Sequence, residues 1–497
     1  MRRTALAALL TALAVAGPAA PALAHPTVAL DPTLPFDATY AATDNVEYLG
    51  RFPEHFGTAG GAPSEDGKLF YLTDPRGVHI YDTTTPASPK LLGSLALYQT
   101  QTGAALAQED PDTNGKILLV DAATTPASTS SQLRVVDVSD PRKPTLLSSV
   151  PVTDHTWTCV SGTDATGAQN SCAFAYGRTG HIIDLRDPAK PSRLPTTWRS
   201  SVGYGTTTNS PYTHDLTEIR PGLVMTAGAT AVLMDTTDPT APVYLTEIGD
   251  RTRFSSLGYH SVEWARQGHD HFVVLGTEIA PPAVPGLPPA TGNTAGSDCK
   301  GDDAVIETWD ARKVKDALAV YEQTRDADVF KDVSFTKIDS YNASGRGIFL
   351  TGDAAASQLY CAHWMETHPR FHNGGLMAVA YYNRGTRFLS VGKDGVMKEI
   401  GWITPAEGYT GSPQWISDDV VYVMDYRRGL EVVRLKDKAA TGVKQRNPDR
   451  IAPASAMQVP PLHLHGRTIA LGGSALLLLM LVGVERAVRR RTAVQTA

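Results

Sequence analysis

Histidine is scarce in this chain, 14 residues in 497, and four of the histidines recur in one kind of place. His155-Thr-Trp157, His214-Asp-Leu216, His260-Ser-Val262 and His363-Trp-Met365 each stand at the entry to an apolar stretch that reads as the innermost strand of a repeating unit. His55, ahead of the first unit, is a candidate fifth. Imidazole nitrogen suits Cu, Zn, Fe or Ni, and ligands on separate segments can converge on one ion. The candidate metal site is therefore His155, His214, His260 and His363, with copper or zinc as the candidate ion. Asp154, Asp215 and Glu366 are candidate ligands or orienters of those imidazoles. A structural alternative stands beside this one: a polar side chain is favoured wherever a strand meets water, and the imidazoles then only bond loop backbone. His79 and His181 fall within strands and read as structural. His269, His271, His368 and His372 fall in expected turns and read as surface residues. No Gly-x-Ser-x-Gly elbow, phosphate loop, His-Glu-x-x-His or calcium-loop spacing occurs, and no catalytic residue is singled out.

The elements that must hold these histidines come from a repeated phrase: a β-branched strand ending in Asp, a Ser/Thr/Asp-Pro turn, then a second apolar strand. It reads GVHIYDTTTPASPKLLGSL from Gly77, LRVVDVSDPRKPTLLSSV from Leu133, HIIDLRDPAKPSRL from His181 and AVLMDTTDPTAPVYLTEIG from Ala231. Each copy predicts an antiparallel hairpin with alternating apolar residues. One hairpin cannot bury both faces, so the copies must stack or close into a ring. Weaker copies begin near Val305, at Gly385 and at Val420, which brings the count to seven. The last lacks an outer strand. Residues 45–52 (NVEYLGRF) have strand character and no unit of their own, so they are expected to complete the seventh unit and remove its open edge.

These phrases, LRVVDVSDPRKP and HIIDLRDPAKP above all, resemble the LVIVD repeat. That resemblance implies an all-β fold, a single β-propeller over residues 45–436, most simply of seven blades, and no single activity. In a propeller the innermost strands line a central channel, so histidines at their shared entry would ring one mouth. A histidine ring of this kind resembles, in topology, the copper-dependent thiol oxidases of the methanethiol oxidase or selenium-binding type.

The ends predict a location. Arg2 and Arg3, an apolar run and the Ala22-Leu23-Ala24 site read as a signal peptide over residues 1–24. Residues 468–484 are uncharged and Leu-rich, with Arg486, Arg489, Arg490 and Arg491 close behind, which predicts a single-pass transmembrane helix and a cytoplasmic basic tail over 485–497. Proline-containing residues 437–467 read as a flexible stalk. A composition of 42% hydrophobic and 19% charged residues is that of a folded chain, and a net charge of −6 leaves no basic footprint for nucleic acid. In an oxidising compartment four cysteines suggest disulfides. The hairpin register favours Cys159 with Cys172, which leaves Cys299 with Cys361. Two functions follow: a membrane-anchored, cell-surface module that binds or scaffolds an extracellular ligand or protein, or an exported metal-dependent oxidoreductase using the histidine ring.

Overall fold

In the computed structural model the Asp that ends each repeat strand is what turns the chain. Asp82, Asp137, Asp184, Asp235 and Asp310 each accept, through Oδ1, the backbone N–H two residues on, at 2.7–2.9 Å. That is an Asx turn, in which a side chain imitates the backbone of a tight turn. The residues described are 40–58, 60–97, 109–123, 131–152, 154, 156–204, 213–249, 259–277, 305–343, 362–382, 384–405, 408–436 and 443–446.

The turns fold the chain into seven antiparallel sheets, six of four strands and one of six. Each repeat phrase supplies the third and fourth strands of one sheet, as Gly77–Asp82 with Lys90–Ala96 in blade 1. The seven-bladed β-propeller is thus present. Its closure is also as expected: Val46–Phe52 pairs antiparallel with Gly429–Leu435 as the outer strand of blade 7, with Val46 opposite Leu435 and Phe52 opposite Leu430. Gly429, at φ +84°, makes that docking feasible, because a Cβ there would lie 2.2 Å from the Phe52 carbonyl oxygen. Tyr48 donates to Glu431, which is paired with buried Arg428 at 2.7 Å.

Burial within a blade departs from simple alternation. Middle strands such as Leu223–Gly228, Phe272–Thr277 and Val420–Asp425 are buried at every residue, because each is covered on both faces by the adjacent blades. Outer strands such as Lys90–Ala96 are half-buried. The core is accordingly a set of clusters between successive blades, as where Leu119 and Val135 of blade 2 meet Trp157 and Ile183 of blade 3.

Three features lie outside the repeat reading. A helix, Arg312–Thr324, is inserted between the third and fourth strands of blade 5 and buries Val314, Ala317, Leu318 and Tyr321 along one face. Tyr40–Thr43 adds to the outer edge of blade 6, and Val443–Arg446 pairs with it. Residues 443–446, expected within a flexible stalk, therefore form a strand at that edge. Cys159 and Cys172, on the first two strands of blade 3, are joined by a disulfide with Cα atoms 4.5 Å apart. Cys299 and Cys361, the signal segment and residues 468–484 fall outside the described residues. No helix among the described residues is long and apolar enough to cross a membrane.

Candidate metal centre

The first strand of each blade is the one nearest the axis, and the expected register of the histidines holds for three blades. His214 is the second residue of Thr213–Arg220 in blade 4, and His260 the second of Tyr259–Glu263 in blade 5. Both sit at a β-bulge: pairing skips from Thr213 to Asp215 and from Tyr259 to Ser261. In blade 6 the N–H of His363 donates to the Ala380 carbonyl while the Ala380 N–H donates to Trp364, so two residues face one and the irregularity recurs. A bulge inserts an extra residue and re-aims its side chain. Here it turns each imidazole toward the axis.

The fourth member is Glu109, which the sequence analysis did not select. Its Oε2 lies 3.8 Å from His214 Nε2, 3.8 Å from His260 Nε2 and 3.7 Å from His363 Nε2. All four side chains are buried, none more than 2% exposed. The rings of His214 and His260 stack at 3.7 Å between centroids, and those of His260 and His363 lie 4.3 Å apart. Separations of 3.7–3.8 Å exceed a hydrogen bond. Donor atoms of Glu109, His260 and His363 all lie within 4.8 Å of one another, a set that does not include His214, which meets the group through Glu109 and the stacked His260 ring. About a tetrahedral ion at about 2.0–2.2 Å such atoms would be roughly 3.3–3.6 Å apart.

Neighbouring groups hold His363 and Glu109 by hydrogen bonds. His363 Nδ1 meets the Gly411 carbonyl at 2.5 Å. A carbonyl only accepts, so Nδ1 carries the hydrogen and Nε2 presents its lone pair toward Glu109. Gly411 itself occupies the bulge of blade 7, where pairing skips from Thr410 to Ser412. Tyr426 donates its hydroxyl to Glu109 Oε1 at 2.7 Å, leaving Oε2 toward the histidines. Backbone is held from blade to blade: Thr156 donates to the His214 carbonyl at 2.7 Å and Ser261 to the His363 carbonyl at 3.2 Å. Trp364 packs across His260 at 5.1 Å and Tyr382 across His363 at 4.6 Å, which makes an aromatic wall on that side.

The other expected residues are placed differently. His155 falls outside the described residues. His55 does not join the ring. Its Nδ1 is 3.0 Å from Asp74, its Nε2 contacts the Tyr81 hydroxyl, and the Arg76 guanidinium also pairs with Asp74. Burial holds His55 down at about 4, so it is neutral at pH 7. His79 Nε2 shares Asp74 at 3.0 Å, and a cluster already neutralised by an arginine is a structural network. Asp154 is turned away from the ring, taking the Thr179 hydroxyl at 2.6 Å. His368, expected at the surface, is buried against Trp415 at 4.7 Å.

Beyond the ring the channel wall is acidic. Asp110 and Asp112 of blade 2, Asp215 and Glu218 of blade 4, Glu263 of blade 5 and Glu366 of blade 6 all lie on or beside first strands. Asp112 accepts from the Cys159 N–H at 2.8 Å, Glu218 from the Ser161 N–H at 2.8 Å and Glu263 from the Thr367 N–H at 2.7 Å, so these carboxyls also tie blade to blade. Burial raises Asp112 to about 6 and Glu218 to about 7. Asp110 and Asp215 are pushed well above the ordinary carboxyl range by burial and then by neighbouring carboxylates.

Glu109 carries a readable signal. Glu109-Asp-Pro-Asp112 aligns with His260-Ser-Val-Glu263 and His363-Trp-Met-Glu366, so blade 2 has a carboxylate where its neighbours have imidazole. A search for histidines alone passes over it. Neither a family model nor a curated protein matches this chain.

Proposed function

We propose that this protein is an exported metalloprotein that binds one transition-metal ion, copper or zinc, at the propeller mouth through His214, His260, His363 and Glu109, for oxidoreductase chemistry on an extracellular substrate. One observation carries the reading: three imidazole nitrogens from three blades stand 3.7–3.8 Å from a single buried carboxylate oxygen. Three nitrogens and one oxygen form a borderline donor set that suits copper and zinc over magnesium or calcium. A redox-active ion there would supply one-electron chemistry. The protein's own residues would fix the imidazole tautomer through Gly411, aim Glu109 through Tyr426, and exclude bulk water with Trp364 and Tyr382.

On this reading the repeats are of LVIVD type, and the chain is held at the cell surface by residues 468–484 after removal of residues 1–24. A propeller is equally compatible with a binding or scaffold module. The convergence of four buried donors is what favours the metal. Elemental analysis of the purified chain after controlled loading with copper or zinc tests it. About one ion per chain is expected, and it should be lost in the His260→Ala/His363→Ala variant while circular dichroism is kept. Wild-type protein that retains neither metal would refute it.

A further inference from the structure

Successive residues of a strand point to opposite faces, yet His363 and Trp364 both meet the histidine ring. The irregularity at Ala380, which sets these two residues against one, lifts the alternation there. Between ring centroids the Trp364 indole lies 5.1 Å from His260, 6.3 Å from His214 and 6.3 Å from His363. One side chain thus touches all three imidazoles. The corresponding positions carry Asp110, Asp215, Ser261 and Ser412 in blades 2, 4, 5 and 7, so among these blade 6 alone brings an indole to the centre.

That indole carries a donor with no acceptor. Trp364 is 8% exposed, and its Nε1 is buried without a hydrogen-bond partner among the described residues. Polar groups around the ring are committed elsewhere. The Gly411 carbonyl takes His363 Nδ1 and the Trp364 backbone N–H, Glu109 Oε1 takes the Tyr426 hydroxyl, and Ser261 donates to the His363 carbonyl. An indole N–H only donates. Buried tryptophans ordinarily find a partner for it, because an unpaired buried donor is costly. Charge points the same way: neutral imidazoles and one carboxylate leave a divalent ion with one net positive charge, and an ion with four protein donors can take a fifth.

We propose that Trp364 is the anion-recognising residue of the metal centre: a small monoanion bound to the ion through one atom accepts the Trp364 indole N–H. This rests on the metal reading above and narrows it, since the substrate then meets the ion in deprotonated form. Selection comes from both contacts. The ion attracts the negative charge, and the indole favours a ligand atom that keeps a lone pair after coordination. A neutral ligand with no spare lone pair would leave the donor unpaired and bind less well.

Azide, added to the full chain loaded with Cu2+, is the test anion. Its charge-transfer absorption should saturate in wild type, and Trp364→Phe should weaken azide binding by about ten- to a hundredfold, the worth of a hydrogen bond to a charged group. Ultraviolet resonance Raman reads the indole directly: of the chain's seven tryptophans, one should shift its N–H hydrogen-bonding band when azide binds, and that shift should be missing in Trp364→Phe. If the variant cannot hold copper, the shift in wild type decides alone. Equal azide affinity in the two copper-loaded proteins, or an indole band that azide does not move, overturns the proposal and leaves the metal reading standing. Wild type that takes up no copper overturns both.

Discussion

Ring closure can be tested at Phe52, the last residue of the strand that completes blade 7. Phe52 is 4% exposed, lies opposite Leu430 and meets Tyr81 of blade 1 edge-on at 5.4 Å between centroids. It thus belongs to the seam where the two ends of the propeller join. Replacing a buried phenylalanine with alanine costs about 3–5 kcal/mol. For roughly 300 ordered residues, an unfolding entropy of about 2.1 cal/mol/K per residue gives about 0.6 kcal/mol per kelvin, so the cost appears as a fall in Tm of about 5–8 °C. The control is Val243→Ala, at a position on the outer strand of blade 4 that is 45% exposed, where a change of less than about 1 kcal/mol is expected. Scanning calorimetry of the two variants decides the matter. If Phe52→Ala melts within about 1 °C of wild type, the N-terminal strand decorates the ring without closing it.

Two further outcomes follow from the same geometry. The Cys159–Cys172 bond closes a loop with a sequence separation of 13, so the Cys159→Ser/Cys172→Ser variant should lose about 3 kcal/mol, and an unchanged denaturation midpoint would argue against that bond. Glu218, raised by burial from 4.5 to about 7, folds more readily when protonated. Its contribution is therefore full below about pH 4.5 and is lost as pH rises through about 7, so Glu218→Gln should flatten that part of the stability profile in denaturant titrations, and a steeper decline in the variant would reverse the argument.

Legibility followed the range of the interactions. The Asx turns at Asp82, Asp137, Asp184, Asp235 and Asp310 are local, each linking residues two apart, and they are what made the blades countable in sequence. The closing strand was legible as a surplus at one end matching a deficit at the other. By contrast, Tyr40–Thr43 and Val443–Arg446 pair across some four hundred residues with no turn between them to announce it. The helix Arg312–Thr324 has its apolar residues at helical spacing, yet it interrupts a repeat made otherwise of strands. At the candidate metal centre the histidine register was readable, because a position shared by successive units maps to a shared height in the ring. Glu109 needed the register to be followed after the residue type had changed.

The departures from repetition are what give the mouth its chemistry. A seven-fold ring with histidine at every bulge would crowd imidazoles around one axis, more than a four-coordinate ion uses. In blade 2 the place is taken by Glu109, which brings a negative charge to offset the proposed cation. In blade 7 it is taken by Gly411, whose carbonyl fixes the tautomer of His363. The bulge thus presents a nitrogen at His214, His260 and His363 and a hydrogen-bond acceptor at Gly411, while in blade 2 Glu109, just ahead of the strand, presents an oxygen. Repetition supplies a common height around the axis, and substitution at that height supplies a mixed donor set. The carboxyls three residues further along, Asp112, Glu263 and Glu366, extend the logic, since the strands that carry the ring also carry acidic side chains. A cation drawn to this mouth would meet donors held by backbone on several blades at once, so the rigidity of the propeller is what would keep four separate side chains at one point.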